Sequence, residues 1–312
     1  MNSDVLGETK KENQKTRFSK STSKKKSKEQ HKSSQIAQEK KGKKQTKQVK
    51  GIIFDFDGVI SSFKERLAYP FMQAALMVKS DISAKKMREA SWKVFAYLNK
   101  LEGSTGPTNL IKFTFKIGKF LGMTNFQAVK LIVTSIILYR KNRKNIVPIL
   151  GARSVLQEIL SLDYKVALVT NSSEKVIEAA IEKIPELKKF DVLLTRDDFE
   201  KIKPHASGIR KALRLLDLEP NEVITIGDQA SDIIASKRAG LETIAVSDTY
   251  MRYMKEQLVA EKPIFIIEDI RQLPQLLRFL RDRIIEDIRK TIDLTEQTLQ
   301  EYQSKSKKTS TH

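Results

Sequence analysis

The stretch GIIFDFDGVI, Gly51 to Ile60, is where the chain changes character. Mostly lysine, serine and glutamine precede it; then an apolar run breaks into two aspartates separated by one phenylalanine and followed by a glycine. A short run of Ile and Phe bounded in this way reads as a buried strand. Side chains alternate across a strand, so Asp55 and Asp57 can point one way while Phe56 points the other. Two neighbouring carboxylates repel and lose hydration on burial, unless a cation or a shared proton meets them. These ten residues alone also fit a strand followed by an Asp-Gly turn.

Downstream the pattern recurs. YKVALVTN, FDVLLT, EVITIGD, ETIAVSD and PIFIIED are further short apolar runs that end in polar or acidic residues. Amphipathic stretches such as SEKVIEAAIEKI and GIRKALRLLDL lie between them. Near-continuous apolar strands alternating with helices indicate an α/β fold, a doubly wound, Rossmann-like parallel sheet covered on both faces. Such sheets bind ligands at the carboxyl ends of their strands, where this chain puts its polar residues.

One segment breaks the alternation. Residues 61–147 carry helical patterning, as in EASWKVFAYLNKL and NFQAVKLIVTSIILYRK, with a turn at EGSTGP and no strand. They read as an all-helical domain inserted into a core made of residues 49–60 and 148–275. Residues 276–312 read as a C-terminal helix and a loose tail, with Leu277, Leu280, Ile284, Ile288 and Ile292 on one stripe that docks on the core or, as the alternative, pairs with another subunit.

Composition narrows the chemistry. There is no cysteine, which excludes disulfides, thiolate nucleophiles and Cys-built zinc sites. The three histidines are His31, His205 and His312, too few for a His-rich metal site. Catalysis is left to carboxylates, lysines, hydroxyls and a hard cation. The formal charge is +20, and residues 1–50 hold 16 Lys/Arg against 5 Asp/Glu, a net of +11. Residues 1–48 contain too little apolar surface to offset their ordering entropy and are expected to be disordered. Such a basic tail suits nucleic acid or an anionic membrane surface, or serves only as a solubilising arm. No signal peptide or transmembrane segment is expected: AVKLIVTSIILY, residues 128–139, is too short and contains Lys130. A cytoplasmic location follows as the expectation.

Four strand ends can be read together. Asp55 and Asp57 follow the first; Thr170 and Asn171 follow the second in LVTNSS; Lys203 sits in KIKPHAS; Asp228 and Asp232 lie in IGDQASDI. Their order resembles the haloacid dehalogenase (HAD) superfamily over about residues 49–275. DFDGV, TNS, KP and GDQASD stand as its four motifs, and the phosphoglycolate-phosphatase-like branch with an α-helical cap is the nearest in pattern. The resemblance implies a phosphohydrolase in which Asp55 is the nucleophile and Asp57 the general acid and base. It implies Mg2+ held by the Asp55 carboxylate, the Asp57 main-chain carbonyl and Asp228, with Asp232 in support. It implies that Thr170, Asn171 and Lys203 bind the phosphoryl group. An acid two residues after the nucleophile argues for phosphoryl transfer over carbon–halogen cleavage.

Other readings stay open beside this one. Thr170–Ser172 could cap the helix that starts near Glu174, Lys201 competes with Lys203, and Asp232 could be a helix N-terminal acid. The chain departs from the branch pattern at Ser61 and Ser62, where an acid is usual, and at Ala206, where a second proline is usual. The expected substrate is a small phosphorylated metabolite. A phosphomutase, or a HAD-fold protein recruited to nucleic acid or anionic membrane by its tail, are the alternatives. The oligomeric state is left open.

Overall fold

The computed structural model describes residues 48–90, 93, 107–247, 252–281 and 285–309. Residues 1–47 of the expected tail, Trp92, Tyr97, residues 102–106 of the expected turn, and Ile284 lie outside them. The strands are β1 (Gly51–Phe54), β2 (Lys165–Val169), β3 (Val192–Leu194), β4 (Val223–Gly227), β5 (Glu242–Val246) and β6 (Phe265–Ile267). The helices are α1 (Tyr69–Val78), α2 (Pro107–Phe120), α3 (Asn125–Asn142), α4 (Ala152–Leu160), α5 (Glu174–Lys183), α6 (Ser207–Leu216), α7 (Ala230–Arg238), α8 (Arg252–Ala260), α9 (Leu273–Arg281) and α10 (Ile285–Thr309).

All six strands expected from the sequence form, and they pair in parallel in the order β3-β2-β1-β4-β5-β6. The chain steps outward from β1 to β3, then returns to the other side of β1 and steps outward to β6. The reversal lies between β1 and β4, the point where doubly wound sheets open a crevice. Phe54 pairs with both Leu168 and Ile226, so the residues that follow these strands come level at one edge.

Alternation sorts the core. Ile52, Phe54, Val166, Leu168, Ile224 and Ile226 face one side and pack with residues of α4, α5 and α9. Ile53, Ala167, Val169 and Val223 face the other side, under Ile209, Leu213 and Leu216 of α6. Full burial of an Ile or Leu stabilises by about 1.5–3 kcal/mol, so both faces of the sheet contribute.

The helices between β1 and α4 form their own apolar cluster, with Ala74, Ala75, Phe113, Ile117, Leu121 and Leu131 at its centre. Helix α3 begins with a reciprocal cap: Gln127 N donates to Thr124 Oγ1 at 3.2 Å, and Thr124 N to Gln127 Oε1 at 3.0 Å. The backbone entering and leaving this helical stretch runs side by side. Ser62 N donates to Val147 O at 2.8 Å, and Ile149 N to Ile60 O at 2.9 Å.

Leu277 and Leu280 are buried in the core, and Ile288 and Ile292 pack against it. Helix α10 continues to Thr309, through residues that the sequence reads as a loose tail. QEYQSKSKKT contains no Gly or Pro to stop it, and Gln, Glu and Lys are good helix formers. No helix among the described residues is long and apolar enough to cross a membrane.

Candidate active site

Three strand ends build the site. Asp55 is the first residue after β1, Thr170 the first after β2 and Asp228 the first after β4. Asp55 N donates to Ile226 O at 2.8 Å and Thr170 N to Leu194 O at 3.0 Å, which ties each end to the neighbouring strand. Lys203 arrives from the loop before α6. The Asn171 side chain holds that loop, accepting from Lys203 N at 3.0 Å and donating to Lys203 O at 3.2 Å. The Lys203–Pro204 bond is cis.

The Lys203 ammonium is the hub of one half of the site. It lies 2.6 Å from Asp55 Oδ1, 2.6 Å from Asp232 Oδ1 and 3.0 Å from Val169 O, so all three of its protons have acceptors. Burial alone lowers a lysine, but Asp232 and Asp55 outweigh it and hold this ammonium above its ordinary value. Burial pushes the Asp55 carboxyl up to about 7; Lys203 pulls it down, while Asp232 and Asp57 push it further up. Burial also raises Asp228 well above the usual carboxylate range, helped by Asp232 and Asp55. One lysine does not neutralise two buried carboxylates and a half-buried third.

That imbalance fits a cation. Carboxylate oxygens of Asp55, Asp228 and Asp232 lie within 4.8 Å of one another. Asp228 Oδ1 is buried with no hydrogen-bond partner among the described residues. Gly58 has φ +87°, and a Cβ there would stand 1.8 Å from Asp228 Oδ2, so only glycine lets the loop cross this carboxylate. A Cβ on Gly227 would likewise stand 2.4 Å from Asp232 Cβ. An all-oxygen donor set in this arrangement suits a hard divalent cation. Asp232 Oδ2 meanwhile accepts from Asp228 N at 3.2 Å and Gln229 N at 3.0 Å, which fixes the start of α7. It is both a helix N-terminal acid and a partner of Lys203.

Asp57 belongs to a different set of contacts. Arg66, in a π-helical turn at Lys64–Ala68, is 1% exposed and is the largest fully buried side chain among the described residues. Its Nε donates to Asp57 Oδ1 at 3.1 Å, its Nη2 pairs with the same oxygen, and Nη2 also donates to Ser172 Oγ at 2.9 Å. Ser172 Oγ donates to Asp57 Oδ2 at 2.6 Å. Sequence reasoning missed Arg66 altogether, because in FKERLAY it looks like one more solvated charge. It placed Ser172 in a motif and offered a helix cap as the other use of Thr170–Ser172. The residue before α5 is Ser173, which makes no side-chain cap, and Glu174 N is met by Asp197 Oδ2 at 3.0 Å.

The remaining residues sort cleanly. Thr170 is buried, and its Oγ1 accepts from Ser172 N at 3.0 Å, which leaves the hydroxyl proton to donate. Lys201 is exposed, whereas Lys203 is buried. His205 Nδ1 accepts from Ser207 N at 3.2 Å. The arrangement places a buried carboxylate beside an ammonium and a cation-sized acidic cluster, with a second carboxylate fixed two residues on.

A family model for haloacid dehalogenase-like hydrolases matches residues 52–246. Pyrophosphatase PpaX of Bacillus mycoides is 36% identical over 123 residues, and its Bacillus thuringiensis counterpart is 37% identical over 123. Each match takes in 39% of this chain and 56% of the relative, so the chain spans about half the length of the curated relatives it matches. Among solved structures, a protein described as a predicted phosphoglycolate phosphatase from Haemophilus somnus superposes with a TM-score of 0.56 at 18% identity. That match covers 73% of this chain and 97% of the other. A haloacid dehalogenase-like hydrolase of Streptococcus pneumoniae gives 0.54 at 17% identity, covering 73% and 98%. At such identities these two structures speak for the fold.

Proposed function

Because this chain belongs to the haloacid dehalogenase-like hydrolase family, we propose that it is a magnesium-dependent phosphohydrolase of a small phosphate monoester or pyrophosphate. The observation that carries the reading is the Lys203 ammonium 2.6 Å from both Asp55 and Asp232, beside Asp228 Oδ1, which has no hydrogen-bond partner among the described residues. Inorganic pyrophosphate is the first substrate to try, since the relatives quoted above are named as pyrophosphatases.

In this mechanism an Asp55 carboxylate oxygen attacks phosphorus, and the bond to the leaving oxygen breaks with its electron pair going to that oxygen. Asp57 gives that oxygen a proton. Water then attacks the phosphoryl group on Asp55, Asp57 takes the proton from water, and the bond to Asp55 breaks to restore the carboxylate. Lys203, the Thr170 hydroxyl and the backbone after Thr170 face the charge on the transferring group. Asp55, Asp228 and the Asp57 carbonyl would hold Mg2+, with Asp232 reserved for Lys203 and the turn. When bound, the ion supplies positive charge to the nucleophile and the phosphoryl oxygens. Asp57 is presented as an acceptor from Arg66 and Ser172, which suits the water-activating step. For the protonating step Oδ2 can carry the proton while Arg66 keeps donating to Oδ1, since a protonated carboxyl retains an acceptor oxygen.

The test is hydrolysis of pyrophosphate and a panel of phosphate monoesters with Mg2+, in the parent protein and in Asp55→Asn. The variant should lose at least about a thousandfold in turnover, with the phosphorylated Asp55 peptide seen by mass spectrometry only in the parent. Full Mg2+-dependent turnover by Asp55→Asn overturns the reading. A sugar phosphate converted to its isomer, with no phosphate released, identifies a phosphomutase on the same residues.

A further inference from the structure

The helical insert carries an unusual charge pattern. Between Glu102 and Val147 there is no Asp or Glu, while six lysines and two arginines fall there. Of the chain's formal +20, residues 1–50 hold +11 and residues 103–147 hold +8, which leaves +1 for everything else. Helix α3 lies inside this acid-free stretch.

Helix α3 is apolar on two sides, and the fold uses one of them. Ala128 and Leu131 are fully buried against the rest of the insert. Phe126 (79% exposed), Val129 (51%), Val133 (52%), Ile136 (39%) and Ile137 (59%) instead form a solvent-facing stripe. Their spacing of three and four residues places them on one face. Exposed Lys130 flanks the stripe, and exposed Arg140, Lys141 and Lys144 follow it at the C-terminal end. Soluble monomers rarely show apolar surface as continuous as this unless it meets something.

Charge decides among the occupants. A second copy would bring another +8 insert against the first, and the N-terminal segment of this chain is itself +11, so both are repelled. Nucleic acid matches the sign, but four of the five stripe residues are Val or Ile, which offer bases no ring to stack on. An aliphatic stripe flanked by lysine and arginine fits an anionic lipid bilayer, whose headgroups meet the charges and whose acyl boundary meets the stripe. We propose that α3 is an interfacial helix that docks this protein on anionic membranes.

The experiment is vesicle co-sedimentation of the full chain at about 0.15 M salt, where exposed charges separated by more than about 8 Å are screened. Vesicles of phosphatidylcholine with about a quarter phosphatidylglycerol are compared with phosphatidylcholine alone. The parent should pellet with the anionic vesicles only. Val133→Ser with Ile137→Ser, which changes no charge, should weaken that binding about tenfold or more. Lys141→Glu with Lys144→Glu should abolish it. Both stripe residues are solvent-facing, so an unchanged thermal melt confirms that the variants fold. Unchanged vesicle binding by the serine variant overturns the proposal and leaves the basic tail as the binder. Failure of the parent to pellet also overturns it. So does a parent dimer that the serine variant splits, or RNA binding that the same substitutions weaken.

Discussion

Asp55 and Asp57 stand two residues apart, yet different parts of the molecule hold them. Among the described residues Asp55 is met from the core: Lys203 from the loop before α6, with Asp228 after β4 and Asp232 in the first turn of α7. Asp57 is gripped by Arg66, which belongs to the turn that opens the helical insert, and by Ser172 after β2. The first set follows from sheet topology, because parallel strands deliver their carboxyl ends to one edge. The second depends on how the insert sits over that edge. The electrostatics differ in the same sense. Asp55 shares one ammonium among three carboxylates, whereas Asp57 has a guanidinium to itself.

The largest expected effect breaks the core half. Lys203→Met leaves buried Asp55 and Asp232, with half-buried Asp228 beside them, without their cation, and removal of one partner from a buried pair costs about 3–5 kcal/mol. Thermal melting should show that loss, and hydrolysis should fall about a hundredfold or more even with Mg2+ in excess. A variant as stable and as active as the parent would mean that Lys203 is no hub.

The insert half is tested by Arg66→Met. If Arg66 acts by holding Asp57, the penalty depends on how much the leaving group needs a proton. We expect kcat/KM to fall about a hundredfold for an alkyl phosphate and only a few-fold for p-nitrophenyl phosphate, whose leaving group departs without one. In an Asp57→Asn background the same substitution should add almost nothing. Equal losses on both esters would make Arg66 a structural residue.

This contrast also shows what the sequence can carry. Six strands, their polar ends and the helical insert are legible from alternation and period, since burial on both sides of a sheet forces apolar runs. Lys203 is legible from its place before Pro204. Arg66 is not, because its partner Ser172 is 106 residues away and nothing local separates it from Lys64 or Glu65. The double role of Asp232 was visible only as alternatives. The solvent stripe on α3 is hidden for a related reason: the helix is apolar on more than one side in sequence, and only the packing shows that Ala128 and Leu131 face inward while Val133 and Ile137 do not.

A pH series sharpens the core half. Burial pushes Asp55 up to about 7 from the ordinary carboxylate value of 3.8, and Asp228 is raised in the same direction. Between those two values the folded, metal-free protein keeps protons that the unfolded chain has released, so its stability falls as pH rises across that window. A divalent cation needs the carboxylates ionised, so its affinity climbs over the same window. At about 100 times its dissociation constant Mg2+ adds about 2.7 kcal/mol. The gain in melting temperature should therefore be clear at about pH 8 and small at about pH 5.5. An equal gain at both would place the ion elsewhere.

The smallest effect separates two uses of one hydroxyl. If Ser172 served as a helix cap, Ser172→Ala would lower stability by about 1 kcal/mol and leave the kinetics alone. Its Oγ is instead 2.6 Å from Asp57 Oδ2 and receives the Arg66 guanidinium, while Asp197 caps α5. Loss of the hydroxyl removes one of the donors that orient Asp57, and Arg66 remains. We expect kcat to fall about three- to tenfold, with most of that loss on esters that need a protonated leaving group. The melting temperature should move by no more than a few degrees. A stability loss with unchanged kcat would return Ser172 to the cap role and leave Arg66 as the sole side chain that positions Asp57.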